Sequence, residues 1–340
     1  MKLLMISTDP TLLNEHSAVA MRTRAYGERC ESLTVVLAGR GPERKLSLSP
    51  NTHVWHPGGM TKLGNFVRMV YAARTIEADV VTAQDPFFAG LVGVLTRKPL
   101  QVQLHTDHFG LVGFVLARIT LRYATCVRAV SPRVAELLRP LTKAPISLLP
   151  VYVDVQRPAA AHPRPPEFGA HPVVLMATRL APEKRIELVL RAMTHVPAAH
   201  LYIAGEGPLK NGLQVLATRL QLRDRVHFLG WQNDLGPYYQ HADCFVQASK
   251  FEGYGLALLE AALAGCPAVS TNVGIAADLP PESVTMVDGD EYKLASAIKV
   301  SIIPERRKEA ERGAVGLRAT FPSFDEYVTR YITLLGTCTV

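Results

Sequence analysis

Paired cysteines, long apolar runs and a concentrated basic arm are all missing from this chain of 340 residues, and each absence excludes a class of protein. The five cysteines, Cys30, Cys126, Cys244, Cys266 and Cys338, contain no Cys-x-x-Cys pair. An odd, scattered set predicts reduced thiols in a cytosol-like compartment, with no structural disulfide and no zinc site. The apolar run Phe109 to Ala117 is cut by Arg118 and Arg122, far short of the roughly 20 residues that a membrane-spanning helix needs. The opening Met1-Lys-Leu-Leu-Met-Ile is stopped by Asp9 and Pro10, too early for a signal peptide, and reads as a first buried strand. With no Arg/Lys-rich arm and no RNA-binding aromatic motif, nucleic acid is not an expected partner. These absences together predict a cytoplasmic protein.

What the chain does have is 48% hydrophobic residues, enough for two cores at this length, and a formal charge of +7. The positive balance favours anionic partners such as a nucleoside diphosphate or an anionic lipid surface. Short Val/Ile/Leu-rich runs alternate with helical stretches: Leu3–Ser7, Leu33–Ala38, Val80–Ala83, Leu100–His105, Val127–Val130 and Ile146–Leu149. After five prolines between Pro158 and Pro172 the pattern starts again: Val173–Ala177, Leu201–Ala204, Val226–Leu229, Cys244–Ala248, Ala268–Thr271 and Val284–Val287. Strand–helix alternation implies parallel sheets covered on both faces. We therefore predict an α/β protein of two doubly wound, Rossmann-like domains facing a central cleft. The domains are residues 1–155 and 173–320, joined by a Pro-rich linker over 156–172. A last helical segment, 321–340, is expected to pack back across the cleft.

Four segments of the second half concentrate polar and flexible residues at the ends of strands. Phe251-Glu-Gly-Tyr-Gly-Leu256 is a turn that opens a helix running to about Ala264, with Gly265 and Pro267 stopping it. Gly253 and Gly255 leave backbone N–H groups open at the helix N-terminus, which suits a phosphate. Glu260 lies about 8 Å further along the helix axis than the turn, at 1.5 Å per residue. Glu252 and Glu260 are then either a solvated rim or ligands for something polar. Arg179-Leu-Ala-Pro-Glu-Lys184 places two cations in a strand-to-helix loop, where both can converge on a diphosphate. Ile203-Ala-Gly-Glu-Gly-Pro208 is a Gly-x-Gly turn without the third glycine of a dinucleotide fingerprint. Val226-His-Phe-Leu-Gly-Trp231 ends a strand at Gly230, where a base could lie against backbone, with simple packing the alternative for Trp231.

In this order the segments resemble the carboxyl-terminal domain of the retaining family 4 glycosyltransferases of GT-B fold, over about Val173 to Ala297. The resemblance implies a nucleotide-sugar donor, with Arg179 and Lys184 on its diphosphate, Glu252 on the sugar hydroxyls and Glu260 on the ribose. Gly205, Gly230, Gly253, Tyr254, Gly255 and Leu256 complete the implied donor site. In the first half, Gln101-Val-Gln-Leu-His105 resembles the segment in which the family carries a histidine that contacts the donor sugar. Arg179, Lys184, Glu252 and His105 are thus the implied catalytic set.

The chain departs from the family pattern at Glu15-His16, where glycines are usual, at Arg185 in place of a common glycine, and at Ile275-Ala276 in place of Gly-x-Pro. No cofactor and no metal are expected: Asp107 and His108 are too small a ligand set, and Asp288-Gly-Asp290 reads as a strand-to-helix turn with Asp290 as a cap. The expected reaction is hexosyl transfer to a hydroxyl acceptor, either a glycan, a lipid-linked acceptor or a small molecule. The alternatives are a sugar-nucleotide-binding scaffold and a nucleotide-sugar epimerase. Arg68, Arg74, Arg97, Lys98, Arg118 and Arg122 flank apolar stretches of the first half, which adds peripheral contact with the inner face of an anionic membrane as an expectation.

Overall fold

The computed structural model describes residues 1–106, 109–154 and 162–338. The chain divides into two compact units, Met1–Tyr152 with Ser323–Val340, and Val153–Pro322. Each has its own sheet.

In the first unit the strands are β1 (Lys2–Ser7), β2 (Ser32–Leu37), β3 (Arg44–Ser49), β4 (Thr52–His56), β5 (Val80–Ala83), β6 (Leu100–Leu104), β7 (Cys126–Ala129) and β8 (Ile146–Leu148). They order as β3-β4-β2-β1-β5-β6-β7-β8. Every neighbour pair is parallel except β3 with β4. β1 is buried on both faces, which is why its sequence is continuously apolar rather than alternating. β3 and β4 were not among the expected strands; β3 is mostly exposed and closes the sheet edge antiparallel.

The helix Phe324–Gly336 belongs to this unit. A capping box of Ser323 and Glu326 starts it, and Tyr327, Val328, Tyr331 and Leu335 line its buried face. Tyr331 stacks on Tyr26 with ring centroids 4.4 Å apart, and its hydroxyl accepts from Gln103 Nε2 at 2.7 Å. Beside it the buried Arg128 donates to Gln103 Oε1, Leu149 O, Pro150 O and the Tyr327 hydroxyl at 2.8 to 3.0 Å. At the end of this segment Cys338 forms a disulfide with Cys126 of β7, their Cα atoms 5.6 Å apart. The expectation of five reduced thiols is therefore wrong for this pair, and the argument from cysteine usage to a reducing compartment falls with it. A separation of 212 residues leaves no spacing signal from which the pairing could be read.

The second unit contains β9 (Val173–Ala177), β10 (His200–Ala204), β11 (Val226–Gly230), β12 (Cys244–Gln247), β13 (Ala268–Thr271) and β14 (Val284–Val287). Their order, β11-β10-β9-β12-β13-β14, is wholly parallel. The chain winds outward from β9 in one direction and from β12 in the other, so the strand order reverses between them. In an open α/β sheet a ligand binds beyond the carboxyl ends of the strands at that reversal. No helix among the described residues is long and apolar enough to cross a membrane.

Candidate functional site

The loops that leave the carboxyl ends of β9 and β12 flank the reversal point, and they carry Arg179, Lys184 and Glu252. Backbone hydrogen bonds fasten these loops to each other and to the loop after β10. Leu180 N donates to Glu206 O at 2.9 Å, Lys250 N to Glu183 O at 2.8 Å, and Ile275 N to Tyr254 O at 2.9 Å. The site is thus a set of interlocked turns on rigid strands.

Glycine is required in these turns by close approach at Gly205 and is favoured by positive φ at Gly205, Gly230 and Gly255. Gly205 has φ +135°, and a Cβ there would sit 1.9 Å from Thr178 O. Gly255 has φ +88° and is the N-cap of the helix Leu256–Leu263, with no side chain covering its first N–H groups. Gly230 also has positive φ, and a Cβ there would lie 2.9 Å from Glu206 Oε1. Arg185, where the resembled family has glycine, adopts φ +49° and donates to Gly289 O at 2.9 Å. The backbone still has the left-handed conformation that favours glycine, at a cost of about 1–2 kcal/mol for another residue.

The charged groups pair in a way the sequence did not indicate. Lys184 Nζ lies 2.7 Å from both Oε1 and Oε2 of Glu252, and Glu252 also accepts from Ser249 Oγ at 2.6 Å. Both side chains of this ion pair are only 15% and 12% exposed. Arg179 is mostly exposed and pairs with Glu183. Glu260 accepts from the buried Tyr239 hydroxyl at 3.0 Å, and its carboxylate joins burial in pushing the Tyr239 phenol well above its ordinary value. Tyr254 is buried, so at this position the turn can offer a ligand only backbone, whereas Leu256 is exposed at the helix start.

Beside these groups lies a cavity of about 360 Å³, bounded by Thr178, Arg179, Gly205, Glu206, Trp231 and Ala257. Trp231 is not packed away: it is 74% exposed and forms a wall of this cavity. Its position directly after Gly230 was the available signal. Asp288 and Asp290 are both engaged within the turn: Lys293 Nζ donates to Asp288 at 2.6 Å, and Asp290 caps the following helix through Tyr292 N and Lys293 N.

His105 belongs to the first unit, just after β6. It lines a small cavity of about 70 Å³ with Arg22, Tyr26, Gln84, Gln103, Arg128 and Tyr331 among its neighbours. Burial, then the positive charge of Arg128 and Arg22, holds its pKa down to about 3, so the ring is neutral at neutral pH. Asp107 and His108 lie outside the described residues.

Residues 160–295 match the family model described as glycosyl transferases group 1. The lipopolysaccharide core biosynthesis glycosyltransferase LpsE of Rhizobium meliloti is 33% identical over 174 residues, 48% of this chain and 50% of that protein. The alpha-monoglucosyldiacylglycerol synthase of Streptococcus pneumoniae is 25% identical over 239 residues, 60% of this chain and 54% of the relative. The chain spans about half the length of these curated relatives. Among solved structures, HepE of Anabaena in complex with UDP matches with a TM-score of 0.77 at 19% identity, covering 99% of this chain and 100% of that one. A sucrose-phosphate synthase from Thermosynechococcus elongatus matches with a TM-score of 0.82 at 20% identity, covering 99% and 98%. At such identities the structural likeness speaks for the fold alone. The chain has the α/β fold called GT-B, and residues 160–295 within its second unit are similar to the glycosyl transferases group 1 family.

Proposed function

We propose that the protein transfers a sugar from a nucleoside diphosphate donor to a hydroxyl acceptor with retention of configuration, without a metal. The observation that carries this reading is the convergence at the β9/β12 reversal of Lys184, Arg179 and the uncapped helix N-terminus at Gly255. All three supply positive potential where a diphosphate would lie. The adjoining cavity against Trp231 suits the base, and the UDP bound by HepE favours a nucleotide of that kind. Glu260 is assigned to the ribose. Lys184 and Glu252 neutralise each other across their ion pair. An arriving diphosphate competes for Lys184 and frees Glu252 for the sugar hydroxyls.

The bond between the anomeric carbon and the phosphate oxygen then breaks as the acceptor oxygen adds to the same face. The acceptor proton passes to the departing diphosphate, whose charge Lys184 and Arg179 stabilise. The neutral imidazole of His105 is assigned a hydrogen bond to the donor sugar. The acceptor is a glycan or a lipid-linked hydroxyl. In favour of a lipid surface, Leu111, Val112 and Val115 of the helix Gly110–Arg122 are more than half exposed, and Arg118 and Arg122 on the same helix share a basic hollow with Arg139 and Lys143. Co-sedimentation with anionic vesicles, and not with neutral ones, is the expected result.

The roles of the two carboxylates are tested by calorimetry with UDP and by turnover of labelled nucleotide sugar, with and without acceptor. Glu260→Gln is expected to weaken UDP binding, and Glu252→Gln to reduce transfer without any loss of UDP affinity, since the diphosphate then no longer competes with a carboxylate for Lys184. Equal loss of UDP affinity in both variants refutes these assignments, and donor turnover that never needs acceptor refutes transfer.

A further inference from the structure

At the opposite end of the second sheet from the donor loops, three histidines meet. His200 opens β10, His227 lies on β11, and His171 stands in the segment just before β9. The register that pairs Tyr202 with His227, and the period-two alternation of β10, put His200, Tyr202 and His227 on one face of the sheet. Nothing in the proposed donor chemistry uses these residues. His200 precedes Gly205 by five residues of extended chain, about 16 Å at 3.3 Å per residue.

Their nitrogens converge. His200 Nδ1 and His227 Nε2 face each other at 3.1 Å, and one ring nitrogen from each of the three side chains falls within 4.8 Å of the others. Two ligand nitrogens of a tetrahedral ion, each about 2.0–2.1 Å from the metal, stand about 3.3–3.4 Å apart. The facing pair is therefore already close to the edge length of such a shell. The ring of His171 lies flat on that of His200, with centroids 3.3 Å apart and planes 12° from parallel. It must swing off that face to complete a third corner. The absence of a side chain at Gly169 leaves the His171 ring room where it stands, since a Cβ there would come within 2.5 Å of it. The tautomer is also set: the Tyr202 hydroxyl donates to Glu167 O at 3.0 Å, so His171 Nε2–H donates to that hydroxyl at 3.0 Å and Nδ1 is left with its lone pair. The surrounding shell is what such a site calls for, with a hydrogen-bonded second nitrogen and an aromatic wall from Tyr202 stacked on His227 at 4.5 Å.

We propose that His171, His200 and His227 form a binding site for a divalent transition-metal ion of the zinc type, with water in the fourth position. Three neutral imidazoles select Zn²⁺, Co²⁺, Ni²⁺ or Cu²⁺ over the oxygen-seeking Mg²⁺ and Ca²⁺. Bound there, the ion ties the segment ahead of β9 to the β10–β11 edge of the sheet. It is a structural site, separate from the donor loops.

The test uses the full chain without a polyhistidine tag, stripped with EDTA and dialysed, then titrated with ZnCl₂ by calorimetry. One Zn²⁺ per chain is expected, with affinity reduced at least about tenfold in His200→Gln and in His227→Gln, and unchanged in the control His53→Gln on β4. Co²⁺ added to the wild type should give the intense visible absorption of a tetrahedral nitrogen site, a readout that needs no variant to fold. Absence of Zn²⁺ binding at millimolar metal, affinity unaltered in both variants, or a cobalt spectrum with thiolate charge-transfer bands each overturns the proposal.

Discussion

His105 is held neutral by its surroundings, and that has a consequence for stability that can be measured apart from catalysis. Its folded pKa, about 3, lies below the 6.5 of an unperturbed histidine. A depressed folded value means that the unfolded chain binds the proton first. The contribution to stability is complete above about pH 6.5 and is lost progressively as the pH falls toward 3. His200, held down to about 4 chiefly by burial, acts in the same direction over an overlapping window. Denaturant unfolding at a series of pH values should therefore show stability falling below pH 6.5, and the His105→Gln variant should fall less steeply. Parallel profiles for the two proteins would mean that His105 is already solvated. The same neutrality bears on the proposed function: at pH 7 this ring offers a hydrogen bond and no charge, so in that reading the positive potential for a diphosphate comes from Arg179, Lys184 and the helix N-terminus at Gly255.

At the scale of single elements, the helix Phe324–Gly336 shows what its sequence could and could not reveal. The buried set Tyr327, Val328, Tyr331 and Leu335 has helical spacing, so the helix and its packed face are legible. Where it docks is decided by partners 199 and 228 positions away, Arg128 on Tyr327 and Gln103 on Tyr331, which no local pattern encodes. β3 and β4 escaped for a different reason, being short, partly exposed and at the sheet edge. The helix Pro304–Thr320 escaped because it is dominated by charged residues and buries little beyond Ala310, Ala314 and Leu317. Tyr331 is fully buried, its hydroxyl is hydrogen-bonded, and its ring is stacked. Tyr331→Ala should destabilise the first unit by about 3–5 kcal/mol, as aromatic truncations in cores do, and Tyr331→Phe by about 1 kcal/mol. Urea unfolding of the oxidised protein tests both figures. In that protein only Cys30, Cys244 and Cys266 should titrate as thiols after denaturation without reductant.

For the molecule as a whole, the strands of both sheets were largely legible because buried parallel strands read as unbroken apolar runs, as in Val173–Ala177 and Cys244–Gln247. The loops proposed to hold the donor stand out in the sequence as motifs. The ion pair of Lys184 with Glu252 does not, since 68 residues separate two groups that only the β9–β12 pairing brings together. The wall at Trp231 and the histidine cluster depend in the same way on which strands become neighbours. This placement also separates two metal questions that the sequence runs together. Asp288 and Asp290 follow β14, and each carboxylate already has a partner, Lys293 or the backbone of the next helix. The histidines lie at the other end of the sheet, around the start of β10. Transfer activity is accordingly expected to survive excess EDTA and the change Asp288→Asn, because neither touches the groups assigned to the diphosphate. Lys184→Ala should lower turnover by about two orders of magnitude, the scale of removing one charge-stabilising group. EDTA should nevertheless lower the melting temperature of the zinc-loaded wild type and leave that of His200→Gln unchanged, since a metal bound only to the folded state stabilises it in proportion to its occupancy. Activity lost in EDTA and restored by Mn²⁺ would instead place a metal at the diphosphate and overturn the role given to the two cations.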